Sequence, residues 1–223
     1  MAERPLPDRV GVDRHVAPGP GRRAVLAGGL AALLATALTA CGGEEQPAGT
    51  LTAAPVDPPF ELADVPLTTT EGGELSLAAP GARLSLVFFG YTSCPDVCPL
   101  VMSSIATALT RLEPAQREQV QLIFVTTDPA RDDEERLRRY LDGYDPTAVG
   151  LTGDLDDIVS LGESVGIFVA DAEQLASGGY DLGSHGSQVI ALDGEGLAPA
   201  FWRQDVSSAD LAADIALLLR SDS

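Results

Sequence analysis

From Phe60 to Arg220 the chain alternates between short, almost wholly apolar runs and longer segments that carry one apolar stripe. Leu84-Ser-Leu-Val-Phe-Phe-Gly-Tyr91 and Val120–Thr126 are short, β-rich and apolar at successive positions, so they predict strands buried on both faces. Val149–Thr152 predicts a third strand. Helical spacing fills the gaps. Pro99–Leu112 aligns Met102, Ile105, Leu109 and Leu112, and Asp132–Tyr144 turns Leu137, Tyr140 and Leu141 inward before Asp145-Pro146 stops it. Asp154–Val165 carries Asp154, Asp156 and Asp157 in its first turn, where the helix dipole favours acids. Ser187–Leu192 and Leu197–Arg203, joined through Asp193-Gly-Glu-Gly196, predict a hairpin. Ser207 or Ser208 caps a last amphipathic helix ending near Arg220, and residues around Glu74–Leu77 suit a small lead-in hairpin. Met102 falls in a helical stripe and reads as core; Tyr91 and Trp202 read as packing residues.

Strand–helix–strand–helix–strand, then a hairpin and a closing helix, predicts an α/β domain of thioredoxin-like layout, a central mixed sheet flanked by helices. Upstream of Phe60 the pattern changes. Residues 1–40 read as an export signal, with Arg22 and Arg23 at its charged end and the 17 apolar or small residues Ala24–Ala40 behind them. The ending Leu38-Thr39-Ala40-Cys41 resembles a bacterial lipobox, in which cleavage precedes the Cys and its sulfur takes a diacylglycerol. That resemblance implies a mature chain anchored through Cys41 in the lipid bilayer, on the outer face of the cytoplasmic membrane. Residues 41–59 are rich in Gly, Pro, Ala and Thr without apolar periodicity and predict a flexible tether of roughly 20–25 Å root-mean-square reach. Residues 60–223 form the folded domain on this reading.

Charge narrows the partners. The formal net charge is −19, and residues 1–40 hold five Arg and three acids, leaving nine Arg against 30 acids from Cys41 onward. Such a surface repels phosphate backbones, so no nucleic-acid partner is expected.

Of three Cys, Cys41 is accounted for by the lipobox. Cys94 and Cys98 are too close in sequence to staple a fold, since they close almost no loop. Their purpose is chemical. They sit in Tyr91-Thr-Ser-Cys-Pro-Asp-Val-Cys-Pro99, where the first long strand gives way to a helix. Ligands of open α/β sheets bind at that end of the strands, and helix-start N–H groups favour thiolate there. Positions i and i+4 of a helix lie on one face with Cβ atoms about 5–6 Å apart, and two thiolates converging on one point suit a soft ion such as Cu(I). Asp96 reads as a turn residue beside them. Because His15 leaves with the signal, His185 is the only histidine of the mature chain.

Phe89-Gly-Tyr-Thr-Ser-Cys-Pro-Asp-Val-Cys-Pro99 resembles the signature of the SCO/SenC family of copper chaperones. Val125-Thr-Thr-Asp-Pro-Ala-Arg-Asp132, Gly150-Leu-Thr-Gly153 and His185-Gly-Ser187 follow in the family's order and spacing. Where the family commonly has Asp-His-Ser, this chain has Gly183-Ser-His-Gly-Ser187. The resemblance implies copper, as Cu(I) or Cu(II), held by Cys94, Cys98 and His185. It implies Asp128 as a nearby supporting acid. It also implies delivery of copper to, or thiol reduction at, the dinuclear copper site of a membrane-bound cytochrome c oxidase, or another cuproprotein. The alternative is a thiol–disulfide oxidoreductase or redox sensor cycling the same two Cys. Against a general reductase, three residues rather than two separate the Cys, and no Pro occurs between Pro146 and Pro199 to face them.

Overall fold

The computed structural model describes residues 49–169 and 186–221. In chain order the elements are β1 (Ala54–Glu61), β2 (Pro66–Thr69), β3 (Glu74–Ser76), β4 (Leu84–Gly90), α1 (Val97–Leu109), α2 (Pro114–Arg117), β5 (Val120–Thr126), α3 (Glu134–Leu141), β6 (Val149–Thr152), α4 (Leu155–Ser164), β7 (Val189–Asp193), β8 (Leu197–Trp202) and α5 (Ser208–Ser221). The strands form one sheet in the order β1-β8-β7-β4-β5-β6-β2-β3. Its centre is the parallel trio β4, β5 and β6; β7 and β8 continue it antiparallel beyond β4. This mixed sheet between helices is a thioredoxin-like α/β fold.

The apolar runs are buried because both faces of the sheet are covered. On β4, Leu84, Leu86 and Phe88 point into one core with α1, α3 and α5; Val87 and Phe89 point into the other, with Ile158 and Leu161 of α4. Burying each large apolar side chain is worth about 1.5–3 kcal/mol, so the central strands concentrate much of the stabilisation. Ring contacts add register. Phe124 of β5 meets Phe88 edge-on at 6.0 Å and Tyr140 of α3 at 5.5 Å, which ties α3 to the strand before it. Met102 and Trp202 are fully buried, as their spacing predicts.

Several boundaries differ from the sequence reading, each for a local reason. Residues 54–59, expected in the tether, form most of β1, which pairs antiparallel with β8 through Ala54–Phe201, Pro55–Ala200, Phe60–Ala198 and Glu61–Leu197. Pro55, Pro58 and Pro59 hide the strand from a pattern search. An edge strand tolerates them because only one side of its backbone must pair. A buried carboxylate secures this segment: Asp214 of α5 accepts from the Thr52 N–H at 2.8 Å, the Ala53 N–H at 2.9 Å and the Trp202 indole N–H at 2.8 Å. The helix expected over 132–144 is α3, which starts later because Asp133 is its N-cap and accepts from the Arg136 N–H at 2.7 Å. The helix expected from Pro99 starts at Val97, which places Cys98 in its first turn. The turn between β7 and β8 needs Gly196, whose φ is +82° and where a Cβ would lie 2.3 Å from the Ala78 carbonyl oxygen. Among the described residues no helix is long and apolar enough to cross a membrane.

Candidate metal centre

The site begins where β4 ends. A Cβ at Gly90 would lie 2.9 Å from the Cys98 sulfur, so the missing side chain is the space that thiol occupies. After Gly90 the chain turns, with the Cys94 N–H donating to the Tyr91 carbonyl at 3.2 Å. Asp96 holds the N-cap position of α1, but its side chain caps nothing. The first N–H groups of a helix lack intrahelical acceptors. Here the Cys94 sulfur serves, accepting from the Cys98 N–H at 3.4 Å and from the Asp96 backbone.

The two thiols are free and unlike. Cys94 retains 9% of its surface, whereas Cys98 has none. Burial pushes the Cys94 thiol up, but hydrogen bonds from the Asp96 and Cys98 backbone, the Cys98 thiol and the Tyr91 hydroxyl outweigh it and hold its pKa below the ordinary value. Cys98 goes the other way: burial drives it strongly up, a hydrogen bond from the Tyr91 backbone only partly opposes this, and the neighbouring Cys94 adds to the rise. Tyr91, expected only to pack, also does chemistry at its tip. Burial and the adjacent Cys94 push its phenol up to about 12, so it stays a hydrogen-bond donor to that sulfur. The arrangement is one thiol whose ionisation is eased in front of one whose ionisation is suppressed.

Asp128 is placed less directly. Its carboxylate pairs with Arg131, and its pKa is raised, first by burial, with Arg131 opposing. Asp132 escaped the sequence reading as a site residue. It is fully buried and accepts from the Thr92 N–H at 2.8 Å and from the Thr126 hydroxyl at 2.9 Å. The available signal was the doublet Asp132-Asp133, since only one of two adjacent acids can be the cap.

His185 lies outside the described residues, as does Cys41. The described chain resumes at Gly186, whose N–H donates to the Phe168 carbonyl at 3.2 Å. It then enters β7 at Val189, opposite Phe88 of β4, at the end of the strands where β4 leads into the cysteine turn. Among the described residues no three His, Cys, Asp or Glu side chains group as a metal site. The two sulfurs alone are a soft donor pair of the kind that selects Cu(I), and they fit that ion better than zinc, whose structural sites take four protein ligands.

Iodoacetamide should modify Cys94 well before Cys98 in the folded, reduced protein. The rate should rise with pH through a midpoint below that of an unperturbed thiol, because only the thiolate reacts and the Cys94 thiolate is favoured. Peptide mapping after timed quenching measures this. Equal labelling of both Cys would contradict the asymmetry.

Residues 48–220 match the model of the SCO1/SenC family. A Stutzerimonas stutzeri protein whose name marks copper binding as its expected property is 35% identical over 108 residues, 48% of this chain and 52% of that protein. The chain therefore spans about half the length of that relative. Among solved structures, apo Sco1 of Thermus thermophilus is 28% identical with a TM-score of 0.66, over 76% of this chain and 98% of that one. ScoI of Bradyrhizobium japonicum, solved with copper bound, is 29% identical with a TM-score of 0.59, over 71% and 96%. The cysteine turn at the head of α1 thus stands in a fold and a sequence frame that coincide, and the chain belongs to the SCO1/SenC family.

Proposed function

We propose that this chain is a copper carrier on the outer face of the cytoplasmic membrane, held by acylated Cys41, that loads copper on Cys94, Cys98 and His185. It passes that copper to the dinuclear site of cytochrome c oxidase or keeps the thiols of that site reduced. The observation that carries the reading is the free thiol pair at the head of α1, with hydrogen bonds holding the Cys94 pKa down and Cys98 fully buried against Gly90. The copper-bound Bradyrhizobium relative supports the choice of metal.

The residues divide the work. Cys94 meets the cargo first, because it is the more readily ionised and the less buried sulfur. Cys98 gives up its proton on joining, since a ligating thiol must be deprotonated. Tyr91 and the backbone N–H groups at the head of α1 stabilise negative charge on Cys94 and so ease its ionisation. His185 supplies the nitrogen that makes the set usable for Cu(II) as well as Cu(I). A tether after Cys41 lets the domain approach a membrane-bound target.

The same asymmetry supports a second reading, reduction of a partner's disulfide. The Cys94 thiolate attacks one sulfur of that disulfide, the partner's S–S bond breaks, and the departing thiolate takes a proton. Cys98, on losing its proton, then attacks the Cys94 sulfur and releases the second partner thiol. Two electrons pass to the partner, and the carrier is left as a Cys94–Cys98 disulfide.

Copper titration of the mature chain with Cys41→Ser separates the readings. Wild-type ligands should take one copper per chain. Cys94→Ser should lose binding of both oxidation states, and His185→Ala should lose at least about tenfold in Cu(II) affinity, the scale of one ligand-shell disruption. Undiminished Cu(II) binding by His185→Ala defeats the three-ligand set. Turnover of a protein disulfide with no copper binding at all moves the function to the second reading. The anchor has its own check. The membrane-extracted native protein should have the mass of a chain beginning at diacylated Cys41, and an intact Met1 or a bare Cys41 would contradict it.

A further inference from the structure

The segment just before Cys94 is gripped from outside the turn by a charge that bonds to neither cysteine. Asp132 has no exposed surface. Its carboxylate accepts from the Thr92 N–H at 2.8 Å, the Thr92 hydroxyl at 2.5 Å and the Thr126 hydroxyl at 2.9 Å. The Arg136 guanidinium lies 3.4 Å away and reaches on to the Thr92 hydroxyl and the Ser93 hydroxyl, both at 2.7 Å. Thr152 of β6 fixes the same residue's backbone, donating to the Asp132 carbonyl at 3.1 Å. The cysteine turn, the end of β5, the start of α3 and β6 therefore meet at one residue.

A buried carboxylate is costly unless it is paired and fully hydrogen-bonded, and a neutral amide would fill this space. What the charge adds is strength, because hydrogen bonds to an ionised acceptor are about twice as strong as neutral ones. That strength falls on Thr92, whose N–H and hydroxyl both donate to Asp132, while Ser93 beside it accepts from the Arg136 guanidinium. It acts while the Cys94 sulfur is turned toward the N–H groups of α1. A disulfide needs the sulfurs about 2.05 Å apart with a narrow dihedral range, so closing it requires the cysteine turn to shift from the arrangement in which the two thiols are free. A grip on the two residues before Cys94 resists that shift.

We propose that Asp132, acting with Arg136 through Thr92 and Ser93, is a positioning residue that holds the Cys94–Cys98 pair in its open, metal-receiving dithiol form. The grip thereby raises both copper affinity and resistance to oxidation. The copper half of this statement rests on the proposed function; the redox half does not.

The test uses the mature chain with Cys41→Ser and three variants: Asp132→Asn, Arg136→Gln and, as a control, Asp214→Asn. Asp214 is an equally buried acid that bonds Thr52, Ala53 and Trp202 and not the cysteine turn. Each is equilibrated with glutathione buffers. There the dithiol gives two electrons and two protons to glutathione disulfide, which becomes two glutathione thiols as Cys94–Cys98 closes. Melting temperature and Cu(I) affinity by competition are measured alongside. Asp132→Asn and Arg136→Gln should each favour the disulfide about tenfold, about 30 mV toward more negative potential, and weaken Cu(I) binding about tenfold. Asp214→Asn should melt lower but keep the wild-type potential and copper affinity.

Variants that lose stability while holding the wild-type potential and affinity would overturn the proposal and leave copper binding standing. Should Asp132→Asn fail to fold, Arg136→Gln, whose side chain is partly exposed, decides by the same criterion. If the parent chain binds no copper, the proposed function fails, and the glutathione equilibrium still decides whether the grip exists.

Discussion

The N–H groups at the start of α1 need an acceptor, and the Cys94 sulfur is it. The rest of the site follows from that need. Helix starts are ordinarily capped by Ser, Thr, Asp or Asn, but Asp96, which has the right side chain, does not cap. Sulfur replaces the oxygen, and the cap is correspondingly better when ionised. A local requirement of helix formation has become the means of lowering a thiol pKa in a buried setting.

Two neighbouring constraints turn this into a working pair. β4 is buried along its whole length and ends on a glycine, and the space left by its side chain receives the Cys98 thiol. Cys98 is thus stored protonated and fully buried, four residues from a thiol whose pKa is held down. Such a pair takes up a soft metal as its thiols deprotonate, or attacks a disulfide from one sulfur and resolves from the other. The fold does not have to choose between these chemistries, because both begin from the same unequal thiols.

The sequence made the central sheet plain. The buried runs of β5 and β6 coincide with the observed strands residue for residue, because burial on both faces keeps them almost wholly apolar. β1 was hidden by its prolines and by a partner, β8, some 140 residues away, and α2 is too short to show a period. The cysteine turn was legible as residue types at a strand–helix junction. The Tyr91 hydroxyl and the Asp132 carboxylate were not, since their roles arise from contacts made only after folding: Thr92 and Asp132 are 40 residues apart. The third expected ligand, His185, falls outside the described residues. Its case rests on the resemblance, on its being the only histidine after the expected export signal, and on the start of β7 beside the end of β4.

X-ray absorption of the Cu(I)-loaded mature chain bears on the central claim most directly, because it reads the atoms around the metal. The account predicts two sulfur neighbours and one imidazole nitrogen, with the nitrogen lost in His185→Ala and one sulfur lost in Cys98→Ser. A copper ion bound by a single sulfur, or a spectrum unchanged when Cys98 is replaced, would contradict it.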